Sequence, residues 1–479
     1  SGSGRASVYN ATIDSVLAPS SFDLDIYDSE ITYFSAGYPN LDATRSYILN
    51  GIDAPYLNVR LYDHSTVPYI QSAGWAYVCL NQQSSTDSVI VSGNLEIGGQ
   101  NNIKIPLVRA QTLNVRYVCS GGTLVLGSVY SAGNVDLGIP VEMDTLEMGY
   151  PAVLRVRHTG ANTIDHFISE ATCDSVNYVE SNLSYTKRTL DISSGSVSNT
   201  HFRDIANANG PLIILSGNAI RSTGITSTGT ADQTYYWVGG SGSWTDLNHW
   251  SSTSGGTANA ACIPGLGDTV IVDDNSATGN WSIQLNLDVT EVSAFRDLTT
   301  TLEPYFGAQY NDIFRVTDEF HNVRGSFYSG LNIVLEGSSA NATLYSLKQL
   351  GKLYLSSNGT WTQLDTVRTA SFYFHKGVYD QGEKPLYVTS QMRNDQEEHN
   401  QYVNGSVNWN LENTEAHVRQ IRFGGGNYIT HPAKSTLYLS ATWHRNYDSL
   451  DFNNIITDQG YDMLELSDGT WHANSLDNH

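Results

Sequence analysis

Charge is scarce in this sequence, and positive charge is the scarcest. Charged residues make up 15% of the 479 residues, and 25 Lys and Arg stand against 48 Asp and Glu, giving a formal net charge of −23. Proteins that bind nucleic acids or anionic membranes neutralise phosphate groups with Lys and Arg. The charge balance therefore argues against a nucleic-acid partner and favours a solvated exterior.

Cysteine and long apolar runs are also rare. The four cysteines are too few for a disulfide scaffold and contain no C-x-x-C pair; they are Cys79, Cys119, Cys173 and Cys262. Cys79 and Cys119 each follow a Tyr by two residues, which puts Tyr and Cys on the same face of a strand. We expect small core residues there, with a disulfide as the alternative. No stretch approaches about 18 consecutive apolar residues, so no membrane insertion is expected.

The abundant residues indicate β-structure. With 42 Gly, 29 Tyr and many Ser, Thr and Asn, the composition is rich in strand and turn formers and poor in helix formers. The chain is too long for one compact core, which predicts two or three domains or one elongated repeat structure. Short runs such as SVIVSGNLEIGG and TLVLGSV recur along it, a pattern typical of a solenoid or a large β-sandwich array.

An internal repeat decides between these architectures. At an offset of 40 residues, Tyr-Val-Cys at 77–79 aligns with Tyr-Val-Cys at 117–119, and SGNLEIG at 92–98 aligns with AGNVDLG at 132–138. Recurrence at one offset predicts stacked copies of a strand-turn-strand unit, and a parallel β-helix would take two solenoid turns of about 20 residues per repeat. Because stacked strands lie about 4.8 Å apart, equivalent positions two turns away exceed comfortable disulfide reach.

A segment rich in Trp and Gly divides the β pattern. Three of the nine Trp surround a Gly-Gly-Ser-Gly-Ser loop, and the chain then enters the apolar run Thr269 to Val272. This predicts a β-hairpin followed by re-entry into a sheet. We therefore expect an all-β fold of parallel β-helix, or solenoid, blocks with a short hairpin junction. Its expected parts are an irregular β cap or the end of a preceding unit at 1–70, a first block at 71–232, the junction at 233–276 and a second block at 277–479.

The same segment carries a resemblance to a known family. The string YYWVGGSGSW, then NHW, then IPGLGDTVIVDDNS is similar to a unit that recurs in giant cell-surface proteins of Bacteroidetes, which are exported by the type IX secretion system and include gliding-motility adhesins. The resemblance covers about forty residues. It implies an extracellular, repeat-built adhesin or filament at the cell surface, of which this chain would be one section of a longer polypeptide. It implies no catalytic residue.

Aromatic residues of this segment form the first candidate site. If the segment binds glycan, its contacts would be Tyr236, Trp237, Trp244 and Trp250. The Gly-x-Trp pattern at Trp244 equally suits a structural role, in which Gly sets a turn and Trp covers the next strand.

Calcium is the one candidate ion. Oxygen-bearing side chains stand at both ends of the run Thr269 to Val272, namely Asp268, Asp273, Asp274 and Asn275. Ca²⁺ takes six to eight such oxygen ligands. The alternative is that these residues bond their own backbone in turns, and apart from calcium no cofactor is expected.

The resemblance also implies modification sites. Secreted proteins of Bacteroidetes are O-glycosylated at Ser or Thr between an Asp and an aliphatic residue, and this chain repeats that context seven times, at Ser15, Ser88, Thr145, Ser175, Thr269, Thr366 and Ser449. An Asp turn that leads into a strand produces the same string. Exposure in the fold decides which of them are candidates.

We expect a non-enzyme. Phosphate-binding and zinc motifs are missing, and adjacent carboxylates such as Asp318 and Glu319 would point to opposite faces of a strand, unlike the paired carboxylates of a glycoside hydrolase. The first hypothesis is a rigid spacer with an adhesive face, used in attachment or gliding, with extracellular proteins and glycan surfaces as partners. The alternatives are a polysaccharide-degrading enzyme or phage-type receptor-binding spike on a β-helix, and a purely structural sheath subunit.

Overall fold

The structure is a computed structural model in which the chain forms two units, residues 1–230 and 231–479. It describes residues 4–99, 103–116, 123–183, 186–228 and 232–393, and beyond these the backbone of the strands after residue 393. The described chain is almost entirely β, and its parallel strands wind into a solenoid of about 20 turns in total. The predicted fold class is confirmed.

In its described residues the first unit contains 24 strands. They are β1 Gly4–Tyr9, β2 Thr12–Tyr27, β3 Glu30–Thr44, β4 Tyr47–Ile48, β5 Ile52–Ala54, β6 Leu57–Tyr62, β7 Thr66–Ser72, β8 Ala76–Leu80, β9 Ser85–Val91, β10 Asn94–Gly99, β11 Ile103–Ala110, β12 Thr112–Val115, β13 Leu124–Ser131, β14 Val135–Leu137, β15 Val141–Met148, β16 Val153–Val156, β17 Asn162–Glu170, β18 Asn177–Ser181, β19 Arg188–Ser198, β20 Thr200–Arg203, β21 Ile205–Ala206, β22 Leu212–Ile214, β23 Ala219–Ile220 and β24 Ile225–Ser227.

From β6 to β19, each solenoid turn of this unit contributes one longer and one shorter strand, and each strand pairs in parallel with the strand two places on. The short strands β6, β8, β10, β12, β14 and β16 stack in this way. One inward column of this face runs through Val59, Val78, Ile97, Val115 and Leu137, each with no exposed surface. Aliphatic side chains alternate with outward polar ones because strand side chains alternate between faces.

The 40-residue repeat is two turns long, as the sequence predicts. Asn94 pairs with Thr112 of the next turn, and Leu113 beside it pairs with Val135, so Asn134 lies two turns above Asn94. The region 1–70, which we expected to be an irregular β cap or the end of a preceding unit, forms regular strands in its described residues. Strands β1 to β7 pair in the same parallel sheet as the strands that follow, because their alternating apolar residues extend the same inward columns.

Buried serines line one corner of the early turns. Ser29, Ser46, Ser65 and Ser84 lie one above another, none more than 4% exposed. The backbone N–H of Ser29 donates to the Ser46 Oγ at 3.2 Å, that of Ser46 to Ser65 at 3.1 Å, and that of Ser65 to Ser84 at 3.2 Å. We call these four residues the serine corner. It satisfies backbone donors that the bend removes from the sheet.

Among the residues that the structure describes, the second unit has 22 strands and one short 3₁₀ helix, Leu247–His249. The strands are β25 Thr234–Trp237, β26 Gly242–Ser243, β27 Trp250–Ser251, β28 Thr269–Val272, β29 Ser282–Gln284, β30 Val289–Asp297, β31 Tyr305–Gly307, β32 Ile313–Asn322, β33 Ser326–Phe327, β34 Asn332–Leu335, β35 Ala342–Gly382, β36 Leu386–Arg393, β37 Glu397–Glu398, β38 Gln401–Tyr402, β39 Val407–Leu411, β40 Glu415–Val418, β41 Ile421–Phe423, β42 Tyr428–Thr430, β43 Thr436–Leu439, β44 Arg445–Asn446, β45 Leu450–Thr457 and β46 Trp471–Asn478.

The Trp/Gly-rich segment is the first turn of this second solenoid. Strand β25 pairs antiparallel with β27, as the hairpin prediction requires, and pairs in parallel with β28. Strands β28, β30, β32 and β34 then continue the parallel stack. The segment therefore lies in the second unit, and its own strand supplies the edge on which the next turn builds.

The cysteines differ from the main expectation. Cys79 is fully buried, as predicted, but Cys79, Cys173 and Cys262 each take part in a disulfide. For Cys79 the structure therefore shows the alternative, a disulfide. Cys119 lies outside the described residues. The part of the chain that the structure describes contains no helix long and apolar enough to span a membrane.

Candidate functional site

The three tryptophans expected to contact a ligand are buried. Trp237, Trp244 and Trp250 expose none of their surface. Trp237 lies opposite Trp250 across the hairpin, and their rings meet edge-to-face at 4.9 Å, while Trp244 meets Trp250 in the same way at 4.8 Å. Packed indoles bury more apolar area than any other side chain. The structure therefore corrects the sequence-based assignment, since these rings fill the core of the first turn and cannot stack on an external sugar.

Tyr236 is the one aromatic residue of that prediction which reaches the surface. On β25 the side chains of Tyr235 and Trp237 point inward, so Tyr236 between them points outward and is half-buried. The register places Tyr236 beside Ile271, Ile271 beside Arg296, Arg296 beside His321, and His321 beside Tyr345. One outward column thus follows five successive strands, and its member on β28, Ile271, is buried at 7% exposure. Glu319 stands in the neighbouring outward column, two residues before His321.

We call Tyr236, Arg296, Glu319, His321 and Tyr345 the outer strip. Glu319 links its two basic members: one carboxylate oxygen accepts from Arg296 Nε at 2.9 Å, and the other lies 2.9 Å from His321 Nδ1. The remaining imidazole nitrogen, Nε2, lies 3.2 Å from the Thr343 Oγ1. The imidazole ring meets the Tyr345 ring edge-on, with centroids 5.9 Å apart.

The charges of the outer strip follow from these contacts. The hydrogen bond to Glu319 raises the pKa of Arg296, so its guanidinium stays charged. Burial lowers the pKa of His321, against an opposing effect from Glu319, and we assign the ring as neutral at pH 7. A neutral ring beside a carboxylate carries its proton on Nδ1, which leaves Nε2 to accept from the Thr343 hydroxyl. Burial also raises the pKa of Tyr345, which keeps its hydroxyl protonated.

The side chains proposed as calcium ligands serve different turns. Asp268 accepts from the backbone N–H of Gln233 at 2.9 Å and of Gly265 at 2.8 Å, and burial raises its pKa to about 6. Asp274 instead accepts from Thr300 and Thr301, whose hydrogen bonds hold its pKa well below the usual range.

The other two calcium candidates form hydrogen bonds with each other and with Ser254. The Asp273 carboxylate accepts from the Asn275 backbone N–H at 3.0 Å and from the Ser254 hydroxyl at 2.6 Å, and the Asn275 amide donates to that same hydroxyl. Within the described ranges, no three His, Cys, Asp or Glu side chains are grouped to hold a metal ion. The four residues act as turn residues, which was the alternative interpretation of their sequence.

The candidate glycosylation sites differ in exposure. Ser15 is exposed, whereas the partly buried ones are Ser88, Thr145, Ser175, Thr269 and Thr366. Ser449 lies outside the residues whose side chains are described. By the criterion of exposure, Ser15 is the site that best fits the prediction, and modification of any of them stays a prediction.

A second surface feature is a shallow polar concavity on the first turns of unit 1. Its walls include Asp28, Glu30, Arg45 and Tyr47. Arg45 donates to Asp28 at 2.6 Å and to Asp63 at 3.0 Å, so its charge is satisfied by two carboxylates. The concavity is therefore explained by ion pairs that connect neighbouring turns.

The outer strip could not be found by searching for local motifs. Its members come from four separate strands, and its one sequence signal is spacing: 25 residues separate Arg296 from His321, and 24 separate His321 from Tyr345. In comparisons with known proteins, no family model, curated protein or solved structure matches the chain.

Proposed function

We propose that this chain is a section of a secreted cell-surface protein, in which solenoid units serve as a rigid spacer and carry an adhesive face. The observation that supports it most is the parallel pairing of strands from turn to turn in the described part of each unit. Solenoids gain stability from contacts between neighbouring turns and offer long surfaces for repeated weak contacts. Repetition along such a surface converts weak contacts into strong attachment.

Three features of unit 1 support the stiffness that a spacer requires. Parallel strands hydrogen-bond each turn to the next, the aliphatic columns pack without exposed surface, and the serine corner links four turns through buried hydrogen bonds. To bend or stretch such a unit, hydrogen bonds and apolar contacts must break together. A spacer that transmits force without lengthening requires this kind of cooperativity.

An extracellular location is favoured by the cysteines and the charge. Disulfides persist in oxidising compartments and are rare in the cytosol, and three described cysteines are in disulfides. The net charge of −23 disfavours nucleic acid and favours a solvated surface. Export by the type IX system and a role in gliding or attachment rest on the sequence resemblance.

The spacer function can be tested by pulling single molecules between their termini with an optical trap. We expect each unit to resist extension and then to lengthen in steps, each up to about 85 Å for a solenoid turn of roughly 25 residues. Smooth extension at low force, without steps, would contradict a mechanical role.

A polysaccharide-degrading enzyme is the second candidate. The hydrogen-bonded pair of Glu319 and His321 beside Tyr345 comprises residue types that transfer protons in catalysis. Incubation with neutral and acidic polysaccharides, followed by assays for new reducing ends and unsaturated products, separates the two functions. We expect no product, and sustained release that disappears in Glu319→Gln would establish the enzyme instead.

A further inference from the structure

We propose that the outer strip of unit 2 is a binding site for a neutral oligosaccharide. This inference rests on the proposed adhesive function and assigns the ligand class and the residues. The three polar members are fixed side by side by the two contacts that Glu319 makes with Arg296 and His321. Polar groups that are positioned before binding lose little conformational freedom when a ligand arrives.

The polar members match the hydroxyl groups of a sugar. The Glu319 carboxylate accepts hydrogen bonds and the Arg296 guanidinium donates them, so two adjacent hydroxyls of one ring find an acceptor and a donor next to each other. All three side chains retain access to solvent: the exposed fractions are 40% for Arg296, 19% for Glu319 and 23% for His321. This is enough to contact a ligand that lies along the sheet.

The aromatic members stand at the two ends of the strip. Four steps between adjacent strands separate Tyr236 from Tyr345, which is about 19 Å at roughly 4.8 Å per step. That distance is several times the width of one sugar ring, so the strip suits an oligosaccharide. Tyr provides apolar surface for the C–H face of a sugar and a hydroxyl at its tip.

Unit 1 shows why exposed tyrosine alone is not sufficient. Tyr9 and Tyr27 stack face to face at 4.8 Å, and Tyr38 and Tyr56 stack at 5.0 Å. Each stacked pair covers one face of each ring with the other, so the pair presents mainly edges to the solvent. The ring at Tyr345 instead meets its neighbour His321 at an interplanar angle of 70°.

The charge surrounding the strip selects against anionic sugars. Glu319 lies inside it, Asp318 is the preceding residue, and Asp365 lies close enough to Tyr345 to influence the titration of its hydroxyl. Arg296 is already paired with Glu319, and the whole chain carries a charge of −23. A uronate or sulfate group would meet repulsion that a neutral hexose does not.

The test measures dissociation constants by calorimetry with hexasaccharides of β-1,4-glucan, β-1,3-glucan and β-mannan, and with oligogalacturonate as the acidic counterpart. We expect at least one neutral hexasaccharide to bind more tightly than oligogalacturonate. Tyr236→Ala, Tyr345→Ala and Glu319→Gln should each weaken that binding at least about tenfold, as truncation of a central contact does. Tyr305→Ala is the matched control, because Tyr305 is a 41% exposed tyrosine on strand β31 of another sheet, and it should change binding less than about twofold.

Three results would overturn the assignment: no binding of any neutral hexasaccharide, tighter binding of oligogalacturonate, or unchanged affinity in the three strip variants. Circular dichroism and thermal unfolding of each variant show whether a loss of binding comes from unfolding. The optical-trap experiment is independent of the ligand. A chain that unfolds in steps and binds no neutral sugar would retain the spacer function and lose this site.

Discussion

The two units share one backbone plan and fill it with different side chains. The inward columns of unit 1 are mostly Leu, Ile and Val, whereas the first turns of unit 2 enclose Trp237, Trp244 and Trp250 together with a cluster of Phe. The ring centroid of Phe295 lies 5.3 Å from that of Phe306 and 5.4 Å from that of Phe314. A parallel solenoid therefore tolerates either an aliphatic or an aromatic interior, provided that each column is filled.

The corners differ in the same way. Unit 1 uses the serine corner, whereas unit 2 uses an inward column of Asp297, Asn322 and Ser346, all without exposed surface. The Asn322 amide donates to the Ser346 hydroxyl at 3.1 Å. In both units a column of short polar side chains bonds the backbone at a bend, and only the residue type changes. The geometry of the corner therefore selects for a buried side chain that forms hydrogen bonds rather than for one amino acid.

The largest effect should come from the aromatic interior of unit 2. Trp250→Ala removes a fully buried indole and its hydrogen bond of 2.8 Å to the Trp244 carbonyl. We expect the free energy of unfolding of unit 2 to fall by about 3–5 kcal/mol, as measured by chemical denaturation. Trp75→Ala, at a tryptophan of unit 1 that is 38% exposed, is the control. Equal losses for the two variants would contradict a structural role confined to the buried ring.

Asp297 should give the next largest effect. Its carboxylate accepts from the backbone N–H groups of Thr299 at 3.0 Å and of Arg324 and Gly325 at 2.6 Å each. Asp297→Ala leaves these donors unpaired, and we expect a loss of about 3 kcal/mol in the same assay. Glu383→Ala, which changes an exposed carboxylate, should fall within about 0.5 kcal/mol of the parent chain. A loss below about 1 kcal/mol for Asp297→Ala would show that water replaces the carboxylate.

The serine corner should contribute less per residue. The Ser46 Oγ donates to the Thr44 carbonyl at 2.8 Å and accepts from the Ser29 N–H at 3.2 Å. Ser46→Ala should therefore lower the free energy of unfolding of unit 1 by about 1–2 kcal/mol. The exposed Ser85 provides the control Ser85→Ala. Equal free energies of unfolding for the two variants would show that the serine corner does not stabilise unit 1.

The smallest effect concerns pH. Burial raises the pKa of Asp268 to about 6, above the value of about 3.9 expected in the unfolded chain. The folded chain therefore holds this proton more tightly, and the contribution of Asp268 to stability increases as pH falls from about 7 towards 4. Asp268→Asn should remove that increase. The free energy of unfolding of the parent minus that of the variant should therefore be larger at pH 5 than at pH 7.5. The same difference at both pH values would contradict the raised pKa of Asp268. Asp144→Asn in unit 1 is the control.

The fold could be predicted from the sequence because part of unit 1 is highly regular. The repeat between 92–98 and 132–138 works as a signal because these turns of unit 1 keep nearly constant length. The sequence signal is weaker at 1–70, where the inward columns are interrupted in sequence by corners such as Asp28-Ser29 and Arg45-Ser46. Spacing of 17 and 19 residues between Ser29, Ser46 and Ser65 is the signal that was available there.

The site was less accessible to sequence reasoning for a physical reason. Whether Trp250 or Tyr236 faces the solvent depends on which side of its strand points into the interior of the solenoid, and that is a property of the tertiary fold. The outer strip likewise depends on the register between strands. The segment that separates Tyr236 from Ile271 is longer than those that separate the later members, which hides the column in the sequence.

The most direct test of the whole account is the footprint of a bound neutral hexasaccharide, measured by hydrogen exchange and mass spectrometry of the intact chain. We expect slower exchange in peptides that contain Arg296, Glu319 with His321, and Tyr345, and no change in the peptide 242–250, whose tryptophans are buried. Slower exchange at 242–250, with no change along the outer strip, would contradict binding at the outer strip and would place the binding site at the tryptophans.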